Sequence, residues 1–355
     1  MEFLHSSLTA LHRAVHSVNC FGHVVDPASC ALERAAPRRK PTGTAVPCPE
    51  RSRVWLLLTV TVRAYHRAVA LTRGEGSSFP MSGVAAWATY LPAQTHALVA
   101  VCGSMLDRLR RLEGAVLAVN VSLLVIAPLE QWQKLGLLFA SGLTLVVLYA
   151  FNDFWDAEAD RHNPRKNQAL VDLHCRQRGA ILFTLAFAAT VAVLLALLAV
   201  GPTAAAAVVG VMAINVAYSA VLKGVPVVDV GWCALWGGTF AAITLAPVKL
   251  LVVVGLMTAV CHVYQTLADR EVDAANGVAT IAVRSPRLVP VTLAALCTLL
   301  AVAFASNGHW VLALTTFTPL LPYFLISSRT VGWLSTKAYF GIVWILLLAE
   351  LHETP

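Results

Sequence analysis

Charge is what this 355-residue chain has least of. Only 13% of its residues are Asp, Glu, Lys or Arg, against about a quarter in soluble domains. Hydrophobic residues make up 58% and mean hydropathy is +0.70. That scarcity excludes an ordinary soluble domain and predicts a polytopic membrane protein. The net charge of +7 would suggest nucleic acid in a soluble chain. Here the basic residues lie between apolar runs, where they set membrane orientation, so no nucleic-acid partner is expected. Metal-ligand spacing is also missing from the eight cysteines (Cys20, Cys30, Cys48, Cys102, Cys175, Cys233, Cys261, Cys297). Three of them sit within apolar runs, and all read as small apolar residues rather than a disulfide framework. Residues 1–81 lack sustained periodicity, and their apolar piece Val54 to Val62 is too short to cross a bilayer. A targeting peptide is conceivable there, although the basic start leading into an apolar core and a small-residue cleavage site is missing. This basic N-terminal region is expected to be poorly ordered, followed by a membrane-proximal helix at 82–111 and a transmembrane domain at 112–355.

Apolar runs are what the chain does have. Nine are read: Leu112 to Leu129, Leu135 to Phe151, Ala180 to Val200, Thr203 to Leu222, Val225 to Leu245, Leu250 to Leu267, Leu288 to Ser306, Trp310 to Ile326 and Val331 to Leu351. Each is near the roughly 20 residues needed to span, and the tight Gly201-Pro202 and Ala246-Pro247 connections imply antiparallel neighbours. The expected fold is therefore all-α, a bundle of about nine transmembrane helices.

Acidic residues gather at the ends of two of these runs. Asn152-Asp153-Phe154-Trp155-Asp156-Ala157-Glu158-Ala159-Asp160 follows the second. Four-residue steps on a helix advance about 400°, so Asn152, Asp156 and Asp160 share one face. Asp269-Arg270-Glu271-Val272-Asp273 follows the sixth run, and Asp269 and Asp273 lie 113 residues beyond Asp156 and Asp160. Carboxylates that close stay ionised only with a cation between them, and oxygen-only ligands suit Mg²⁺. Two such motifs in matching halves predict one shared clamp for Mg²⁺ ions and a diphosphate. Asp153 is an adjacent metal-ligand candidate outside the repeated pattern.

N-x-x-x-D-x-x-x-D after the second helix and D-x-x-x-D after the sixth resemble the two signatures of the UbiA superfamily of intramembrane prenyltransferases. Tyr218-Ser219-Ala220-Val221-Leu222-Lys223 is similar to the family's Y-S-x-x-L-K segment, and Asn163-Pro164-Arg165-Lys166 to its basic loop. The resemblance covers roughly Leu112 to Leu351. It departs from the pattern at Gly224, where Arg is common. It implies a bundle around a central cavity, with Mg²⁺ held by Asn152, Asp153, Asp156, Asp160, Asp269 and Asp273. Asp156, Asp160, Asp269 and Asp273 carry the ionisation step in this reading. Lys223, Tyr218, Ser219, Arg165, Lys166 and Arg270 would bind a prenyl diphosphate, and Trp155, Trp232, Trp236 and Tyr264 would wall its chamber. The implied reaction moves the prenyl group to a lipophilic or aromatic acceptor. The alternative is a terpene cyclase needing no acceptor.

Arg108, Arg110, Arg111, Arg161, Arg165, Lys166, Arg176, Arg178, Lys223, Arg270, Arg284, Arg287 and Arg329 fall on one side of the bundle. The opposite loops hold little beyond Lys134 and Lys249, so the positive-inside rule puts both acidic motifs at the cytoplasmic face. An ion transporter would instead carry its charged groups near the midplane. Asp229, at the start of the fifth run, is an intramembrane carboxylate with no assigned role; His262, seven residues before Asp269 and on the same helical face, is read first as a hydrogen-bonded packing residue and second as a base.

Overall fold

The computed structural model describes residues 83–353, except 111, 112, 162, 164 and 165. The expectations for residues 1–81, and for Arg111 and Arg165, lie outside the described residues. Fourteen helices and no strand occur among those described: α1 Gly83–Arg110, α2 Ala115–Ile126, α3 Gln131–Asp160, α4 Gln168–Arg176, α5 Arg178–Val200, α6 Pro202–Ala217, α7 Val228–Ala242, α8 Val248–Ala268, α9 Arg270–Ala275, α10 Ile281–Arg284, α11 Leu288–Ala305, α12 Trp310–Thr315, α13 Leu320–Leu325 and α14 Arg329–Glu353. A π-helical turn, Tyr218–Leu222, extends α6.

Among the described residues six helices are long and apolar enough to cross a membrane: α3, α5, α6 with its π turn, α8, α11 and α14. Three of the nine apolar runs form shorter helices, and proline explains where they stop. Pro128 forces Ala127 out of the helical region, to ψ 138°, so α2 ends at Ile126 although apolar residues continue. Pro226 precedes α7, which begins only at Val228. The eighth run breaks at Pro319, giving α12 and α13 in place of one span.

Bilayer physics shows in which faces are covered. α5 buries the small side chains of Ala192, Ala196 and Ala199, while Phe183, Phe187, Leu194, Leu197 and Leu198 point outward and exposed. A water-soluble bundle would bury that face; lipid accepts it. This is an integral membrane protein. With no hydrophobic drive between helices in lipid, close backbone approach becomes the source of cohesion. α7 and α8 use it most. A Cβ on Gly255 would come within 2.6 Å of the Ala234 carbonyl oxygen, and one on Gly238 within 3.0 Å of that of Leu251. α8 also packs on α11 and α14, and α3 on α5, so α3 and α8, the two helices leading into the acidic motifs, are both central. Buried amides pin the bundle further: Asn120 donates from Nδ2 to Ser141 Oγ at 3.1 Å and to the Phe240 carbonyl at 3.0 Å. Such bonds contribute on the order of 0.6 kcal/mol each in a bilayer.

Candidate active site

The first acidic motif stays helical to its last member, because α3 continues past the apolar run through Asp160. Its polar side chains then find partners on four different elements. Asn152 Oδ1 accepts from Asn215 Nδ2 on α6 at 3.0 Å and from Ser219 Oγ in the π turn at 2.8 Å. With both donors on its oxygen, the amide orientation is fixed. Asp156 Oδ2 pairs with the Lys223 ammonium. Asp160 is buried; Lys166 Nζ lies 3.2 Å from its Oδ2, and Asn163 Nδ2 donates to its Oδ1 at 3.3 Å. Asp153 Oδ1 accepts from Arg108 Nη2 at 2.6 Å and from Lys166 Nζ at 3.0 Å. Arg108, itself buried, also meets Glu113 Oε2 at 2.6 Å. Asp153 thus anchors α1 and the basic loop to α3, while Asp156 belongs to the Lys223 side.

The π turn is what delivers Lys223. Its wide i to i−5 hydrogen bond runs from Lys223 N to the Tyr218 carbonyl at 2.8 Å, and the backbone then leaves the helix at Lys223 with ψ 120°. π turns are local insertions that recur at functional sites. Gly224 follows with φ +81°, and a Cβ there would stand 3.0 Å from Ala279 N and 3.2 Å from Val278 Cγ1. That close approach accounts for glycine where the family pattern commonly has Arg. It also seats the Lys223 loop on the segment after the second motif.

The second motif breaks its helix where the first does not. Asp269 caps α8 at φ −93°, ψ 2°, and Asp273 lies one turn later in α9, its N–H bonded to the Asp269 carbonyl at 2.8 Å. Asp273 Oδ2 accepts from Thr280 Oγ1 at 3.3 Å, and its carbonyl accepts from Val278 N at 2.8 Å, which closes the loop. Burial, then the neighbouring Asp269 carboxylate, push the Asp273 carboxyl up to about 6, against the pull of Lys223. Lys223 is thus bonded to the first motif and electrostatically coupled to the second.

The side chains that the two motifs offer are all oxygen donors, which fits Mg²⁺. Among the described residues no three His, Cys, Asp or Glu side chains already converge on a metal position. That accords with an ion taking one or two protein carboxylates and completing its shell from phosphate oxygens.

Of the other sequence candidates, Arg270 is exposed beside Asp269. Tyr218 faces His262, with ring centroids 6.0 Å apart. Trp236 stacks on Phe240 at 5.8 Å, Trp155 on Phe151 at 5.8 Å, and Trp232 Nε1 donates to the Ile214 carbonyl at 2.8 Å. Tyr264 is buried in the core among α8, α11 and α14, and its hydroxyl donates to the Pro319 carbonyl. It packs the bundle and does not line a chamber. Two partners were not singled out as such from sequence. Asn215 shows there only as a polar residue inside an apolar run, and Arg108 only as one of several basic residues before the first span.

The sequence profile of the UbiA prenyltransferase family matches residues 115–341. No curated protein matches the chain in sequence. In fold it is similar to a UbiA homolog from Archaeoglobus fulgidus solved with DMAPP and Mg²⁺, with a TM-score of 0.52 at 18% identity over 69% of this chain and 99% of that one. The same homolog bound to GPP and Mg²⁺ matches with a TM-score of 0.52 at 18% identity over 68% and 99%. A digeranylgeranylglyceryl phosphate synthase structure matches with a TM-score of 0.53 at 12% identity over 72% of this chain and 96% of that one.

Proposed function

Because this chain belongs to the UbiA prenyltransferase family, we propose that it is a Mg²⁺-dependent intramembrane prenyltransferase, which ionises a prenyl diphosphate and passes the prenyl group to a lipophilic or aromatic acceptor. The observation that carries the reading is Lys223, paired with Asp156 of one motif on a loop whose Gly224 packs against Val278 and Ala279 just beyond the other. The solved homolog's complexes with Mg²⁺ and with DMAPP or GPP support the same chemistry at these motifs. Asn152, Asp156, Asp160, Asp269 and Asp273 would hold Mg²⁺, which supplies charge neutralisation to the departing diphosphate. Asp153 is held by Arg108 and Lys166, so its part is to fix the position of the end of α3.

The chain's own residues do the rest. Lys223 donates a charge-assisted hydrogen bond to the diphosphate oxygens as the C1–O bond lengthens. Lys166, with Arg165 and Arg270, adds cationic donors at the mouth. Ser219 and Asn215 hold the Asn152 oxygen in place. Tyr218, below Lys223, presents an aromatic face and hydroxyl to the allylic cation. α2, α7 and the α12–α13 pair complete nine crossings within residues 112–355, and the basic loops keep the site on the cytoplasmic side.

The test is diphosphate release from a panel of prenyl diphosphates by protein in nanodiscs, with and without acceptors. Release is expected to require Mg²⁺ and to disappear in excess chelator and in Asp156→Ala or Asp269→Ala. Without acceptor it is expected to be slow and to yield prenyl alcohol. Efficient acceptor-free formation of a single cyclic product would replace transfer by cyclisation. Full activity in chelator would remove both.

A further inference from the structure

Below the two acidic motifs, between α7 and α8, lie polar groups that ionisation does not use. Asp229 is completely buried, and neither carboxylate oxygen is hydrogen-bonded. His262 turns Nε2 toward it, 3.8 Å from Oδ2, and that nitrogen also has no hydrogen-bond partner. Tyr218 meets the imidazole edge-on from the π turn, and Cys233, one turn beyond Asp229 on α7, is a further polar neighbour. The backbone just before the pair is strained: Val227, a β-branched residue, sits at φ 70°.

A buried carboxylate without donors costs several kcal/mol, and an apolar residue of similar volume would be cheaper. The pair is kept between α7 and α8, whose backbones approach closely at Gly238 and Gly255, in spite of that cost. Ionisable groups at membrane depth are retained for chemistry. The two residues also differ in access: the Asp229 side chain is 0% exposed and that of His262 11%. His262 precedes Asp269 by seven residues, which puts it roughly 10 Å deeper on the same face of α8. On the prenyl-diphosphate reading, that is the side on which the prenyl carbon would lie below its diphosphate.

We propose that His262 is the proton acceptor of the transfer step, with Asp229 as its buried counter-charge. This rests on the prenyl-diphosphate reading above. The C1–O bond of the substrate breaks and its electron pair leaves on the diphosphate. The acceptor, a nucleophile X–H with the proton on oxygen or an aromatic carbon, gives an electron pair to C1. As the C1–X bond forms, the proton passes to His262 Nδ1. Nε2–H points at Asp229, whose carboxylate balances the imidazolium, and the proton then leaves to solvent or diphosphate. Water takes the place of X–H when no other acceptor is supplied.

The experiment separates ionisation from proton transfer. Geranyl diphosphate labelled with ¹⁸O at the bridging position is incubated with Mg²⁺ and the full chain in nanodiscs, without acceptor. Scrambling of the label into non-bridging positions is measured against net consumption. His262→Gln is expected to keep scrambling and to lose net consumption, so that their ratio rises about 100-fold. Asp229→Asn is expected to raise it less, while melting no lower than wild type, since a buried charge has been removed. Equal loss of scrambling and consumption in both variants, or no change in either, overturns the proposal. Absence of both in the wild type overturns the prenyl-diphosphate reading itself.

Discussion

Lys223→Met removes the cation that pairs with Asp156 of the first acidic motif and pulls on the Asp273 carboxyl of the second, and its consequences separate stability from chemistry. In the folded protein the ammonium pairs with Asp156 Oδ2, the two side chains being 30% and 25% exposed. Water still screens a pair that open, so its loss costs on the order of 1 kcal/mol rather than the 3–5 expected when a fully buried pair is broken. For a bundle of this size that lowers Tm by no more than about 4 °C. The effect on turnover is far larger. A preorganised donor aimed at charge that develops in the transition state is worth about 3–4 kcal/mol, or a 10²- to 10³-fold rate loss. Lys223→Met should therefore melt near wild type and release diphosphate about 100 to 1,000 times more slowly at saturating Mg²⁺. Lys223→Arg, which keeps the charge but not its point geometry, should recover part of the loss. The assay is diphosphate release in nanodiscs, with thermal unfolding measured on the same preparations. Turnover within about threefold of wild type would refute the reasoning, as would a rate loss that only parallels the loss of folded protein.

Asn152→Leu leaves the Asn215 amide and the Ser219 hydroxyl without their shared acceptor. It should lower stability by about 1–3 kcal/mol in a denaturant titration and abolish turnover as well. Gly224→Ala places a Cβ at a left-handed φ and against Ala279 N. A cost of about 1–2 kcal/mol is expected, with a drop in activity exceeding it because Lys223 moves; unchanged activity would show that the loop position is not needed. Asp273, pushed up to about 6 by burial and Asp269, binds its proton more tightly folded than unfolded. Its contribution to stability is complete below the unfolded carboxylate range and lost as pH rises through about 6. In chelator, raising the pH from 4.5 to 7 should therefore cost the wild type more Tm than Asp273→Asn, and Mg²⁺ with diphosphate should remove that difference.

Much of this protein can be read one residue at a time. Scarce charge and long apolar runs force helices that satisfy their own backbone, because lipid offers no hydrogen bonds. The four-residue spacing of Asn152, Asp156 and Asp160 sets them on one helical face by geometry alone. The boundaries of the apolar helices were less legible. Hydropathy continues through Pro128, Pro226 and Pro319, but the backbone cannot, so three runs became shorter helices than composition implied.

What only the tertiary structure decided is which cation meets which carboxylate. Asp153 and Asp156 are three residues apart in a row of acids, and nothing local distinguishes them. Arg108, arriving on α1, and Lys166, in the loop before α4, take Asp153, while the π turn carries Lys223 to Asp156. Asn215 and Ser219 find Asn152 across more than sixty residues of chain. Asp229 and His262 are neighbours only because glycines let α7 and α8 approach to backbone contact. Each pairing depends on where a second helix ends or how closely it packs. Charge and spacing in one segment are local quantities, and the partner that neutralises a buried carboxylate is not.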